Sequence, residues 1–339
     1  MLAFNFAPLG AVLGMVMTAA TSLAEPWPFP TLKGDPPIVI AHRGASGYLP
    51  EHTLEAYALA AAQGADFIEP DLVMTQDGHL IARHDYYLSA STDIAEHPEF
   101  ADRRRELDGR SDWFVEDFTL AEIKRLRARQ PYPGRSTAFD GRFEIPTFEE
   151  ILALLRRLED RHGRRFGIYP ETKHPAHFAE RGLAMEPALL EALEGAGLEA
   201  AADPVFIQSF EPEILKRIDA QSALRLILLL AAQDGEGESL TRPRFPDGLD
   251  LAAAARFVDG IGPDKRLVMD PSGRPRELIS RAHELGLAVH VWTLRDDAPT
   301  RGGLSPEEEH RAVLATGVDG IFTDFPDTGV TQRWLAPLY

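Results

Sequence analysis

Asp66-Phe67-Ile68-Glu69-Pro70-Asp71-Leu72-Val73 is followed, across a turn at Asp77-Gly78, by Leu80-Ile81-Ala82-Arg83-His84. Both runs have strand composition, and an Asp-Gly turn between two such runs favours a tight antiparallel hairpin. Parallel pairing would need a crossover of about a dozen residues, and the connection is too short to hold one. The second run is therefore a hairpin arm outside any parallel sheet. Outward from it, strand candidates lie at Ile38–Ala41, Arg165–Thr172, Pro204–Phe210, Leu224–Leu230, Phe257–Gly262, Leu287–Thr293 and Gly320–Thr323. Helical patterns fill most of the gaps, at Thr53–Gln63, Leu120–Ala128, Phe148–Arg161, Ala188–Gly195, Pro212–Ile218, Arg276–Leu285 and Pro306–Ala315. Strands alternating with helices indicate a parallel sheet. With the hairpin arm set aside, eight strand candidates remain. The expected fold class is α/β, a (β/α)8 TIM barrel over residues 38–339, with an insertion at about 86–117 where charge is high and periodicity is lost.

A chain of 339 residues would ordinarily suggest two domains, but α/β barrels of about 250 residues form one. The net charge of −18 excludes an extended nucleic-acid footprint. The absence of cysteine excludes disulfides, thiolate zinc sites, a cysteine nucleophile and a lipid anchor on an N-terminal cysteine. Residues 1–24 carry no charged side chain, Ala7 to Ala20 is almost wholly apolar, and Ser22-Leu23-Ala24 offers the small residues a signal peptidase reads. An apolar run of about 14 residues suits a signal peptide and is short for a spanning helix. The expectation is a signal peptide at 1–24 and an exported protein, periplasmic or secreted, with an uncleaved anchor as the alternative. Residues 25–37, with five prolines, read as an extended linker. No other stretch is long and apolar enough to insert stably in a membrane.

The chemistry-bearing residues fall at strand ends. His42-Arg43-Gly44 follows the first strand, on the rim where barrel active sites form. Arg43 can fork onto phosphate oxygens and His42 can move a proton. Glu69 and Asp71, at i and i+2 of a strand, face one side, and two like charges there call for a cation or a shared proton. Oxygen-only ligands select hard ions such as Ca²⁺ or Mg²⁺. His84-Asp85 ends the hairpin arm, bringing a second imidazole beside the carboxylates. Glu171-Thr172-Lys173 repeats the i, i+2 geometry, adding one carboxylate and one cation. Each motif alone also has a structural reading. Together they form an inventory for phosphoryl transfer to or from a small anionic substrate.

His42-Arg43-Gly44-Ala45-Ser46-Gly47-Tyr48-Leu49-Pro50-Glu51-His52-Thr53 resembles the signature of the glycerophosphodiester phosphodiesterase family. Glu69-x-Asp71, His84-Asp85 and Glu171-x-Lys173 match its later motifs in order. Pro50-Glu51-His52-Thr53, Asp117-Phe118-Thr119-Leu120, Gln208-Ser209-Phe210, Gly260-Ile261-Gly262-Pro263 and Thr323-Asp324-Phe325-Pro326-Asp327 resemble its periplasmic branch. The resemblance implies a TIM barrel with His42 and His84 as the acid–base pair, and Glu69, Asp71 and Glu171 as ligands of one divalent cation, commonly Ca²⁺ in that branch. It implies phosphate binding by Arg43 and Lys173. It also implies that the substrate's own glycerol hydroxyl displaces the alcohol, and that water opens the resulting cyclic phosphate to glycerol 3-phosphate.

Other positions stay open at this level. Glu51 either orients Arg43 or answers to a helix N-terminus. Trp292 either floors a glycerol pocket, as the resemblance favours, or packs in the core. Gln208 lines the pocket or makes local hydrogen bonds. His97, His162, His283 and His310 read as surface residues. Two rival functions remain: a phospholipase D-like lyase on lysophospholipids using the same histidines and metal, which the polar insertion disfavours, and a catalytically idle surface or binding protein.

Overall fold

The computed structural model describes residues 26–233 and 242–338; the expected signal peptide lies outside them. The strands are β1 (Ile38–His42), β2 (Phe67–Glu69), β3 (Asp71–Met74), β4 (Leu80–Ala82), β5 (Arg105–Leu107), β6 (Arg110–Asp112), β7 (Gly167–Ile168), β8 (Glu171–Thr172), β9 (Phe206–Ser209), β10 (Arg225–Gln233), β11 (Arg242–Arg244), β12 (Gly260–Pro263), β13 (Ala288–Leu294) and β14 (Gly320–Thr323). The helices are α1 (Leu54–Ala62), α2 (Leu120–Ile123), α3 (Phe148–His162), α4 (Pro175–Ala179), α5 (Met185–Gly195), α6 (Pro212–Asp219), α7 (Leu251–Ala254), α8 (Leu278–Glu284), α9 (Pro306–Leu314) and α10 (Pro326–Leu335).

Parallel pairing runs from β1 to β2, from β2 and β3 to β7 and β8, from β8 to β9, then through β10, β12, β13 and β14, and from β14 back to β1. The ring closes as a TIM barrel. The hairpin arm stands where its turn implied: β4 pairs antiparallel with β3 and with no other strand of the barrel. Two barrel strands are each broken into halves, β2/β3 at Pro70 and β7/β8 at Pro170. In register, Phe67 faces Gly167 and Asp71 faces Glu171, so the two prolines meet at one level of the ladder. A proline has no N–H to give its neighbour. The ladder continues across both breaks through the proline carbonyls, Pro70 accepting from Glu171 N–H and Pro170 from Gln208 N–H.

Some boundaries differ from expectation. The helix expected over Leu120–Ala128 ends at Ile123, because the chain turns there to bridge Ala128 with Thr92 and Arg127 with Glu144. The irregular lobe thus extends from the expected insertion at 86–117 to the start of α3. Helix α10 is an addition to the expected set, although Pro326 occupies its first turn, where a ring costs no hydrogen bond. The proline-rich linker does not project: Leu32 N–H donates to Asp319 at 2.7 Å, fastening it beneath the barrel. No helix among the described residues is long and apolar enough to cross a membrane.

The core has two parts. A large cluster lies between the barrel and its helices. A smaller one, Ile40, Phe67, Tyr169, Phe206, Ile227 and Phe322, fills the barrel interior. Side chains alternate along a strand, so the residue two positions on returns to the same face. Two residues beyond each plug position, on that inward face and nearer the C-terminal rim, stand His42, Glu69, Glu171, Gln208, Leu229 and Asp324. Trp292 stands likewise beyond buried His290, whose Nδ1 lies 2.7 Å from the Tyr169 hydroxyl. The apolar plug is the floor, and the next inward layer is the site.

Candidate active site

One cavity of about 210 Å³ opens above the plug, lined by His42, Arg43, Glu69, His84, Glu171, Lys173, Gln208, Trp292 and Arg295 among others. Every sequence-predicted site residue except Asp71 faces it. Asp71 is buried behind, and one oxygen from each of Glu69, Asp71 and Glu171 lies within 4.8 Å of the others.

Buried carboxylates so close repel, and their proton affinities record it. Burial and the charges of Asp71 and Glu171 push Glu69 well above the usual carboxylate range. Burial likewise pushes Glu171 up to about 8, against the pull of Lys173. Asp71 falls well below the usual range despite its burial, held there by Lys173, Arg43 and a hydrogen bond from His52. Asp71 Oδ1 is buried without a hydrogen-bond partner. A buried, all-oxygen trio with an orphan acceptor fits a hard divalent cation.

The supports around it are local. Arg43 adopts φ 61°, which turns its N–H onto Glu69 at 2.8 Å. Its guanidinium reaches Glu51 at 2.8 Å and the Tyr132 hydroxyl at 3.2 Å, and its Nε lies 3.2 Å from Asp71. Glu51 precedes the Thr53 cap of α1, so its role is toward Arg43 rather than toward the helix. Gly44 is fixed by close approach: a Cβ there would meet the Ala56 backbone at 2.7 Å. Gln208 donates to Glu69 at 3.0 Å, so it steadies a carboxylate as well as lining the cavity. Trp292 donates its indole N–H to the Gly262 carbonyl at 2.7 Å and faces the cavity. His84, about a third exposed at the rim, pairs with Asp85 at 3.1 Å. Lys173 lies 2.9 Å from Glu171, so its ion pair is to that carboxylate and not to Glu69 or Asp71.

Sequence reasoning missed a second tier. His42 Nδ1 lies 2.6 Å from Asp324, whose other oxygen meets Arg135 at 2.6 Å and Arg295 at 2.9 Å. Burial, with Arg43 beside it, pushes His42 down to about 4, against the upward pull of Asp324. His52 bridges Tyr57 and Asp71 at 2.9 and 3.0 Å. Asp324 and His52 sat inside the family-like motifs without a role. Arg135 and Tyr132 come from the irregular lobe, where no pattern pointed to them. One expectation is corrected: His310 is not a surface residue but fully buried, with its ring nitrogens 2.9 Å from the Pro306 carbonyl and 3.3 Å from the Thr323 hydroxyl.

By fold and by the charges it gathers above the plug, this is a phosphoryl-transfer barrel. The Glycerophosphoryl diester phosphodiesterase family model matches residues 42–328. The chain belongs to that family and is a phosphoric diester hydrolase. It is 36% identical over 328 residues to a glycerophosphodiester phosphodiesterase of Haemophilus influenzae, covering 86% of this chain and 88% of that one. It is 31% identical to the Treponema pallidum enzyme, covering 86% and 90%. Among solved structures, the fold is similar to that of an Oleispira antarctica phosphodiesterase in complex with the product sn-glycerol-3-phosphate, with TM-score 0.62, 21% identity, and coverage of 89% of this chain and 98% of that one.

Proposed function

We propose that the protein hydrolyses glycerophosphodiesters such as glycerophosphocholine and glycerophosphoethanolamine to sn-glycerol 3-phosphate and the free alcohol, by His42/His84 acid–base catalysis. The observation that carries this reading is the single cavity lined by both imidazoles, two of the three clustered carboxylates, Arg43 and Lys173. The product bound in the Oleispira antarctica phosphodiesterase supports the glycerol 3-phosphate assignment.

Glu69, Asp71 and Glu171 would hold a divalent cation, Ca²⁺ in first place and Mg²⁺ in second. When bound, that ion supplies positive charge for phosphoryl oxygens. Arg43 and Lys173 bind the phosphate, and Trp292 and Gln208 bound the glycerol. His42 is the base. Asp324 accepts its Nδ1–H, which leaves Nε2 as the lone pair, and a ring pushed down to about 4 is neutral at pH 7. It takes the proton of the glycerol hydroxyl as that oxygen attacks phosphorus, while His84 protonates the departing alcohol. The roles then reverse, and water opens the cyclic phosphate. No enzyme nucleophile is required, in keeping with a cysteine-free chain.

The polar lobe above the mouth favours a water-soluble substrate over a lysophospholipid. Export, read from residues 1–24, would place the enzyme in the periplasm. The deciding experiment follows glycerol 3-phosphate release from glycerophosphocholine by the purified protein, with and without chelator. Metal-dependent release is expected. Release of a cyclic phosphate from lysophospholipid, without turnover of the soluble diester, would replace this reading with the lyase.

A further inference from the structure

Strand β10 is longer than the barrel requires. Its register with β12 ends at Leu230 opposite Pro263, yet the strand runs on, and Ala231 to Gln233 pair antiparallel with β11. Ala231 stands opposite Arg244 in that ladder, and Phe245 and Pro246 come next in the chain. The hairpin raises a wall beyond the rim. Between wall and rim lies a second cavity of about 410 Å³, lined by Phe210, Leu229, Ala231, Arg244, Phe245 and Pro246. Phe210 and Leu229 also line the catalytic cavity, so the two spaces share a partition. Gly262 makes that partition possible, since a Cβ there would meet the Leu229 side chain at 2.5 Å.

A phosphodiester has two arms, and the proposed mechanism seats only one. The catalytic cavity is occupied by the groups that address phosphate and glycerol, which leaves the alcohol arm to depart past the partition. The cavity beyond it has two aromatic rings and one guanidinium. Arg244 is exposed and forms no ion pair with a described residue. A guanidinium offers five donors, no acceptor and a permanent charge. On the catalytic side of the partition, Lys173 Nζ lies 5.8 Å from the Phe210 ring. Aromatic rings alone would attract a quaternary ammonium, but cations on both sides of Phe210 oppose one. Hydroxyl oxygens, by contrast, accept from Arg244 at no electrostatic cost.

We infer that the second cavity is the subsite for the alcohol arm, and that Arg244 makes it favour polyol arms over arms bearing a quaternary ammonium. The inference rests on the reading that the catalytic cavity seats the glycerol phosphate, and it ranks head groups within that reading. The test is the ratio of kcat/KM on glycerophosphoinositol to that on glycerophosphocholine, measured for the wild type, Arg244→Ala and Arg244→Glu at saturating metal. The side chain is exposed on a hairpin, and melting curves confirm that each variant is folded. The wild-type ratio should exceed one. It should fall about fivefold in Arg244→Ala, the scale of an exposed charge, and further in Arg244→Glu, where the sign reverses. A wild-type ratio below one, or ratios within twofold across all three proteins, overturns the subsite. A folded, metal-loaded wild type that cleaves neither diester overturns the seat of the glycerol phosphate, and the subsite with it.

Discussion

His42 Nδ1 lies 2.6 Å from Asp324 Oδ1, across 282 positions of sequence. The carboxylate fixes the ring and its tautomer, and is itself gripped by Arg135 and Arg295. Replacing His42 or His84 with Ala should each lower kcat by about 10²-fold or more, with the fold retained. Asp324→Asn should lower kcat on the same scale although Asp324 touches no substrate. It should also cost about 3 kcal/mol of stability, because two guanidiniums lose their buried anion. Near wild-type kcat in any of these folded variants removes that residue from the mechanism.

The same pair sets a pH dependence. A general base works only when deprotonated, so activity is present above its pKa and lost below it. With His42 pushed down to about 4 by burial, the acid limb of kcat/KM at saturating metal should lie well below 6.5, the ordinary histidine value. Asp324 pulls the ring upward, so Asp324→Asn should move the limb lower still, a shift that loss of stability alone does not produce. A wild-type limb near 6.5 would count against His42 as the base.

These residues also mark how far the sequence was legible. The barrel strands were readable because short apolar runs alternate with helical ones, and the hairpin because Asp77-Gly78 leaves no room for a crossover. The breaks at Pro70 and Pro170 were not, since only the pairing register reveals that they fall side by side. His42, Glu69 and Glu171 announced themselves as ionisable groups at strand ends. Asp324 is the same kind of residue, two beyond Phe322 on the inward face, but its partner lies at the other end of the chain. His310 reads as a surface residue because it comes after Glu307, Glu308 and Glu309, which suggest a solvated face. Its spacing to Val313 and Leu314, both buried, is the contrary signal. Arg135 and Tyr132 leave none, because an irregular lobe has no period to read.

Removal of the metal should abolish turnover, and Ca²⁺ or Mg²⁺ should restore it. The cluster gives a second readout. Burial and mutual repulsion raise Glu69 and Glu171, so a bound cation relieves a cost of the folded state and should raise the melting temperature with concentration. Full activity in excess chelator, with metal content confirmed as negligible, is incompatible with this assignment.

Residues 1–24 are read as a signal peptide that is cleaved on export. Their deletion should leave a folded, active enzyme, and mass spectrometry of exported protein should find Glu25 at the N-terminus. Membrane-bound protein with an intact N-terminus would establish an anchor instead.

Lys173 Nζ rests 2.9 Å from Glu171 Oε1, with both side chains buried. A cation that pairs with a metal ligand competes with the metal for it, so the ammonium needs another anion once the ion is bound. In the proposed mechanism substrate phosphate is that anion. If Lys173 serves phosphate as charge develops, Lys173→Met should lower kcat and kcat/KM together. Metal affinity should not fall, because the competing cation has gone, and the melting temperature should change little. If Lys173 only steadies Glu171, the same substitution should weaken metal binding and lower stability, and kcat should recover at saturating metal. Steady-state constants, a metal titration and a melting curve on this one variant separate the two roles, and recovery at saturating metal refutes the phosphate role.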